Sequence, residues 1–204
     1  MKAGTAGTAG TAQRVRPVLL GFLYPGVGVA EDDYPSLANR LRCAPVVEVV
    51  NTSIGEDAHR VDALIDLGND ERLRLGAEGL VGPVDAVMWA CTSGGFVFGW
   101  EGARHQADTL GNYLGVPCSS TSFAFVEALR ALGITRVAVA ATYPADVAAF
   151  LSSAGVTAVS VGSKGILTAA EVGTIGREQV LGFVTASDHP EAEAVLAGHG
   201  APHR

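Results

Sequence analysis

The residues best suited to chemistry stand together at Cys91-Thr92-Ser93-Gly94-Gly95. They follow the apolar run Val84–Ala90 and precede an amphipathic segment that begins near Trp100, so the cysteine falls on a strand-to-helix turn. In open α/β sheets, sites form beyond the carboxyl ends of the strands. Glycines there let backbone N–H groups converge on an anion, and the Thr92 and Ser93 hydroxyls add donors. The same donors are expected to lower the thiol pKa toward a reactive thiolate. The alternative is a buried structural cysteine beside an ordinary turn. The Thr-Ser-Gly-Gly context favours the functional reading.

Other candidates are weaker. Tyr143 follows a strand, and its phenol would either donate to a carboxylate or pack over the sheet edge. Tyr24, with Pro25 behind it, holds the same place after the first strand and leaves the same choice open. Cys118 and Cys43 read as packing residues, and Ser119-Ser120-Thr121-Ser122 as a helix cap rather than a nucleophile set. Gly26-Val-Gly28-Val-Ala-Glu31 lacks the third glycine of a dinucleotide turn, and Glu31 would oppose a pyrophosphate. Gly162-Ser163-Lys164-Gly165 reads as a turn, and Glu31-Asp32-Asp33 as favourable charge at a helix start. The five histidines show no paired ligand spacing, so no metal site is expected.

The elements that must position these residues alternate as in βαβ units. Strands are predicted at Val18–Tyr24, Pro45–Val50, Val84–Ala90, Val116–Ser119, Arg136–Ala141, Ala158–Val161 and Ala192–Leu196. Helical faces are predicted from Tyr34, Leu37, Ala38 and Leu41; from Trp100, Ala103, Ala107, Leu110 and Leu114; and from Phe125, Val126, Leu129 and Leu132. Thr168 and Glu171 read as a capping box opening a further helix. Tyr24-Pro25 and Tyr143-Pro144 each end a strand and lead into a helix, which suggests a duplication whose second copy is cut short. The expected architecture is α/β: two pseudo-symmetric lobes with mainly parallel sheets flanked by helices, the second incomplete. Residues 1–16 form a disordered tail, 17–132 the first lobe and 133–204 the second, with helix 121–132 joining them.

Composition agrees. Of 204 residues, 48% are apolar and 6% aromatic, as parallel strands buried under helices require. A formal charge of -7 argues against nucleic acid or an anionic membrane as partner, since either needs a basic face. No apolar run is long enough to span a bilayer. Three irregularly spaced cysteines favour free thiols in a reducing cytoplasm.

The chain resembles the Asp/Glu racemase superfamily, in its maleate cis–trans isomerase and arylmalonate decarboxylase branch, over residues 17–196. The carriers are Gly21-Phe-Leu-Tyr-Pro25, Ala86-Val-Met-Trp-Ala-Cys91-Thr-Ser-Gly94, Ser119-Ser-Thr-Ser122, Val137-Ala-Val-Ala-Ala-Thr-Tyr143 and Glu171-Val-Gly173. The resemblance implies two lobes closing over a small carboxylate without cofactor or metal, and a tendency to form homodimers. It makes Cys91 the first-lobe nucleophile or base. Thr92, Ser93 and Gly94 become the carboxylate-binding turn, aided by Tyr143 and by Tyr24-Pro25. Two departures stand out. The second-lobe cysteine loop of the family is replaced by Ala197-Gly-His-Gly200, and an asparagine usual after the first strand of the isomerases is replaced by the Gly26–Gly28 turn. The expectation is a cofactor-independent isomerase or racemase-like enzyme acting on a maleate-like acid, apparently truncated at its C-terminus. The alternatives are an arylmalonate-type decarboxylase and an inactive truncated homologue that binds small acids.

Overall fold

In the computed structural model the described residues are 16–26, 33–58, 60–141, 144–163, 168, 171 and 174–198. Their strands form two wholly parallel sheets. The first holds β1 (Leu19–Pro25), β2 (Val46–Thr52), β3 (Ala86–Trp89) and β4 (Cys118–Ser120) in the order β2-β1-β3-β4. The second holds β5 (Arg136–Ala141), β6 (Thr157–Ser163) and β7 (Ala194–Gly198) in the order β6-β5-β7. The second order repeats the first through three strands. Among the described residues nothing corresponds to β4.

All seven predicted strands are present, each within two residues of its expected bounds. Parallel pairing requires a crossover after every strand, and helices supply it. These are α1 (Asp33–Ala38), α2 (Val61–Leu67), α3 (Asp70–Ala77), α4 (Ser93–Phe96), α5 (Gly99–Leu114), α6 (Thr121–Leu132), α7 (Pro144–Ser153) and α8 (Arg177–Ala186). Helices α5 and α6 both end on a left-handed glycine, Gly115 at φ 70° and Gly133 at φ 68°, where a side chain would be strained. Helix α6 carries the chain from the first sheet to the second. No helix among the described residues is long and apolar enough to cross a membrane.

Two apolar cores result. Leu23, Val87, Trp89, Leu64, Leu73 and Leu110 fill the space between the first sheet and its helices. Val137, Val139, Phe150 and Leu151 form the second core together with Phe96, Val126 and Leu129. Helices α4 to α6 therefore serve both sheets: α5 sends Leu110 into one core and Ala103 into the other. Cys91 belongs to the first core and Phe96, five residues on, to the second. The cysteine turn is the seam between them.

Three expectations change. Helix α1 stops at Ala38, and turns at Arg40 and Leu41 take over, so only Tyr34 and Ala38 of its predicted face meet the sheet. Leu37 and Leu41 are 54% and 55% exposed. Cys43, in the same turn, is exposed rather than packed. Leu132, 72% exposed, ends α6 after the helix has left the core. Thr168 and Glu171 do exchange capping-box hydrogen bonds. Glu171 is helical, the residues on either side of it lie outside the described residues, and α8 begins at Arg177, where Gln179 accepts from the Gly176 N–H. Helices α2 and α3 were not foreseen.

Candidate active site at the end of β3

Strand β3 runs between β1 and β4, and the Ala90 N–H still bonds to Leu23 O, so Cys91 leaves the sheet from its most constrained position. The chain then turns at once into α4. Gly94 N–H donates to Cys91 Sγ at 3.2 Å, and Ser93 Oγ lies 3.6 Å from the sulfur. Helix α6 grips the turn from outside. Thr121 Oγ1 donates to Trp89 O at 3.4 Å and Ser122 Oγ to Thr92 O at 3.5 Å, while Ser120 caps α6 by accepting from Phe123 N–H. The serine–threonine run caps the helix as expected, and it also holds the cysteine turn.

The two glycines are needed for close approach. A Cβ on Gly94 would stand 3.0 Å from Cys91 Sγ and 3.0 Å from the Trp89 ring; a Cβ on Gly95 would stand 2.1 Å from Ser122 Oγ. Only glycine lets α4 lie against the sulfur on one side and α6 on the other.

The thiol is not acidified overall. Cys91 is buried, and burial pushes its pKa up; the Gly94 N–H, the Ser93 hydroxyl and the Ser93 N–H pull it down without prevailing. This corrects the expectation of a lowered pKa. Removing a thiolate from water outweighs these donors, and among the described residues that line the cavity none is cationic.

Cys91, Ser93 and Pro25 meet at one cavity of about 70 Å³, whose far wall is Ile54, Leu64 and Leu67, with Glu56 and Asp57 also lining it. The structure thus unites three of the predicted residues and places Gly94 directly behind the sulfur. Thr92 is not among the described residues that line this cavity. Its methyl lies beside Gly198, the last residue of β7, which is itself pressed against Ala141 at the end of β5. The carboxyl ends of both sheets therefore converge on this turn. Tyr24 is buried, its ring edge-on to Tyr34 at 5.9 Å. Tyr143 lies outside the described residues, as do Gly28, Glu31 and Lys164.

Sequence reasoning missed two side chains that matter here. Tyr34 was read only as part of an apolar helix face. Its ring covers Phe22 and Tyr24, and its phenol is pushed up to about 12, first by burial and then by the nearby charges of Cys91 and Asp33. Gln106 was not singled out, yet it is 3% exposed and bonded to the Gly94 carbonyl. Its signal was a polar residue on the buried stripe of α5, three residues after Ala103 and four before Leu110.

Fold and site together define a two-sheet α/β protein with a buried cysteine on a glycine turn where the strand ends of both sheets meet. Residues 61–202 match the model of the arylmalonate decarboxylase family, and the chain belongs to that family. No curated protein matches it. Solved structures do. A liganded double mutant of arylmalonate decarboxylase is 22% identical, with a TM-score of 0.73, over 90% of this chain and 78% of that one. A cysteine-to-alanine mutant of the maleate isomerase of Pseudomonas putida S16 with maleate is 17% identical, TM-score 0.76, over 92% and 80%. A mutant of Nocardia farcinica maleate cis–trans isomerase carrying a covalently bound succinylcysteine intermediate is 21% identical, TM-score 0.77, over 89% and 78%. These likenesses establish the fold.

Proposed function

We propose that the protein is a cofactor-independent isomerase or racemase-like enzyme that acts on a small maleate-like carboxylate through the Cys91 thiolate. The observation that carries the reading is the sulfur itself: held by the Gly94 N–H at 3.2 Å, it lies on the wall of a cavity it shares with Ser93. The succinylcysteine of the Nocardia neighbour supplies the chemical precedent. In the proposed step the thiolate adds to the double bond, forming a C–S bond while the π pair moves onto the neighbouring carbon and its carboxylate. The former double bond, now single, rotates. Return of the electron pair expels the thiolate and leaves the trans acid, so no oxidant, reductant or net proton is consumed.

The described cavity wall offers no cationic side chain, and Glu56 and Asp57 line it. Carboxylate recognition is therefore assigned to neutral donors, Thr92 and Ser93 of the turn, with Tyr143 and Tyr24-Pro25 as second-side and flanking groups. Free thiols suit a reducing compartment such as the cytoplasm, and a homodimer is the proposed assembly.

A decarboxylase of arylmalonate type is the second reading. It is favoured by the family match and by the apolar wall of Ile54, Leu64 and Leu67, which suits an apolar substituent better than a second carboxylate. Purified protein incubated with maleate should convert it to the trans isomer, resolved from maleate by liquid chromatography. Carbon dioxide release from phenylmalonate, with maleate untouched, would transfer the assignment to the decarboxylase. Carboxylate binding with neither reaction would reduce the chain to a small-acid binder.

A further inference from the structure

Gln106 sits mid-way along α5 and is 3% exposed. Its Nε2 donates to two carbonyl oxygens, Gly68 O at 2.6 Å and Gly94 O at 3.1 Å. Gly68 closes α2, the helix that contributes Leu64 and Leu67 to the far wall of the cavity. Gly94 carries the N–H that donates to Cys91 Sγ. One amide nitrogen thus joins the two walls of the site.

The junction is tight. A Cβ on Gly68 would stand 2.7 Å from Gln106 Nε2 and 2.8 Å from Gly94 O. Two carbonyl oxygens brought this close repel unless donors stand between them, and a primary amide nitrogen supplies two N–H groups at one point. Gln106 Oε1 is buried without a protein partner, and so is the Nε1 of Trp89, whose ring lies against Gly94 from the other side. An orphaned buried acceptor is unfavourable, and a methionine would occupy the same volume without it. What methionine cannot do is hold the Gly94 carbonyl.

We propose that Gln106 is a positioning residue for Cys91: its amide ties α2 to the cysteine turn and fixes the Gly94 peptides so that the Gly94 N–H stays aimed at the sulfur. The inference rests on reading Cys91 as the reacting group, but it concerns the ionisation of the thiol, which is measurable without turnover. Without the amide, the two carbonyls push apart, the first turn of α4 relaxes, and the thiolate loses its backbone donor.

The test uses the full chain in a Cys43→Ser, Cys118→Ala background, where Cys91 is the only thiol. The rate of Cys91 alkylation by iodoacetamide is followed against pH by mass spectrometry, with thermal melts alongside. In Gln106→Met the rate at pH 8 should fall about tenfold, the curve moving to higher pH by about one unit. Gln106→Glu should move it further, because its carboxylate faces both carbonyls. Gly68→Ala leaves Gln106 in place but drives a methyl into the same junction, and should move the curve in the same direction. A folded Gln106→Met with an unchanged curve overturns the proposal. If that variant does not fold, an unchanged curve in Gly68→Ala overturns it equally. A shifted curve in a protein that turns over neither maleate nor phenylmalonate keeps the positioning role and removes the functional reading. Turnover with an unchanged curve does the reverse.

Discussion

The ends of β3 and β7 occupy the same place in two sheets of the same order, yet they are built for different tasks. Beyond β3 the chain presents a sulfur, a backbone donor and two hydroxyls, gripped by α6 and by Gln106. At the end of β7 stands Gly198, with no side chain to offer, and Ala141 and the Thr92 methyl lie against it. The central strands differ as well. Val137 to Ala141 are all fully buried, whereas β1 keeps Leu20 and Phe22 half-exposed. Within the described residues, the candidate site stands on the first sheet, and the second supplies a packed backing whose Gly198 lies beside the Thr92 methyl. The two sheets share a strand order through three strands within the described residues, and the cysteine turn follows the first sheet's β3.

The sharpest way to break this comparison is at the sulfur. Cys91→Ser should reduce maleate turnover, or arylmalonate decarboxylation, by about 10³-fold or more, with little change in melting temperature. Progress curves equal to wild type would remove Cys91 from the reaction.

The next effect is on stability and contrasts the two strand ends directly. Gly95→Ala puts a methyl 2.1 Å from Ser122 Oγ in the grip of α4 by α6, and should cost about 1–3 kcal/mol in urea denaturation. Gly198→Ala, whose methyl would lie 3.2 Å from the Ala141 Cβ, should cost less, about 1 kcal/mol or below. Pairing Gly95→Ala with Ser122→Gly should recover much of the first loss. Equal costs at the two glycines would erase the asymmetry.

The dependence on pH follows from burial of the thiol. Because Cys91 titrates above its ordinary value, turnover and alkylation should still be rising at pH 9, with up to about tenfold gain per unit and no plateau near neutrality. The same sign governs stability. A group whose folded pKa is raised stabilises fully below its unfolded pKa and loses that contribution as pH climbs toward the folded one. For Cys118, lifted from 9.0 to about 11 by burial, the loss falls between those values. Chemical denaturation at pH 8 and pH 10.5 should therefore show wild type weakening, and Cys118→Ala weakening less.

The smallest effect is expected at Tyr34. Tyr34→Phe keeps the ring contacts with Phe22 and Tyr24 and removes a phenol that titrates near 12. Stability below pH 9 should stay within about 0.5 kcal/mol, while the alkaline loss between 10 and 12 becomes shallower. A large loss of turnover at neutral pH would instead give the phenol a direct part in the reaction.

The strands were legible because burial on both faces leaves runs of Val, Ala and Leu, and the crossover helices of β3 and β4 because α5 and α6 repeat an apolar face. Helices α2 and α3 were not, since Val61–Leu67 and Asp70–Ala77 are short and the latter is largely charged. The face assigned to Tyr34, Leu37 and Leu41 failed because periodicity cannot show that a helix stops after six residues. Cys91 with its Thr-Ser-Gly-Gly turn was readable from residue type and position after a strand, and so was the family. The acidity of the thiol was not. It is the balance of donors that neighbour Cys91 in sequence against desolvation by groups far from it, and only packing sets the second. In the same way the sequence determined that a cysteine would stand at a strand end on a glycine turn. Only the tertiary structure decided that Gln106 and Ser122 would hold that turn from separate helices, because both meet it through carbonyl oxygens, which every residue carries and no motif records.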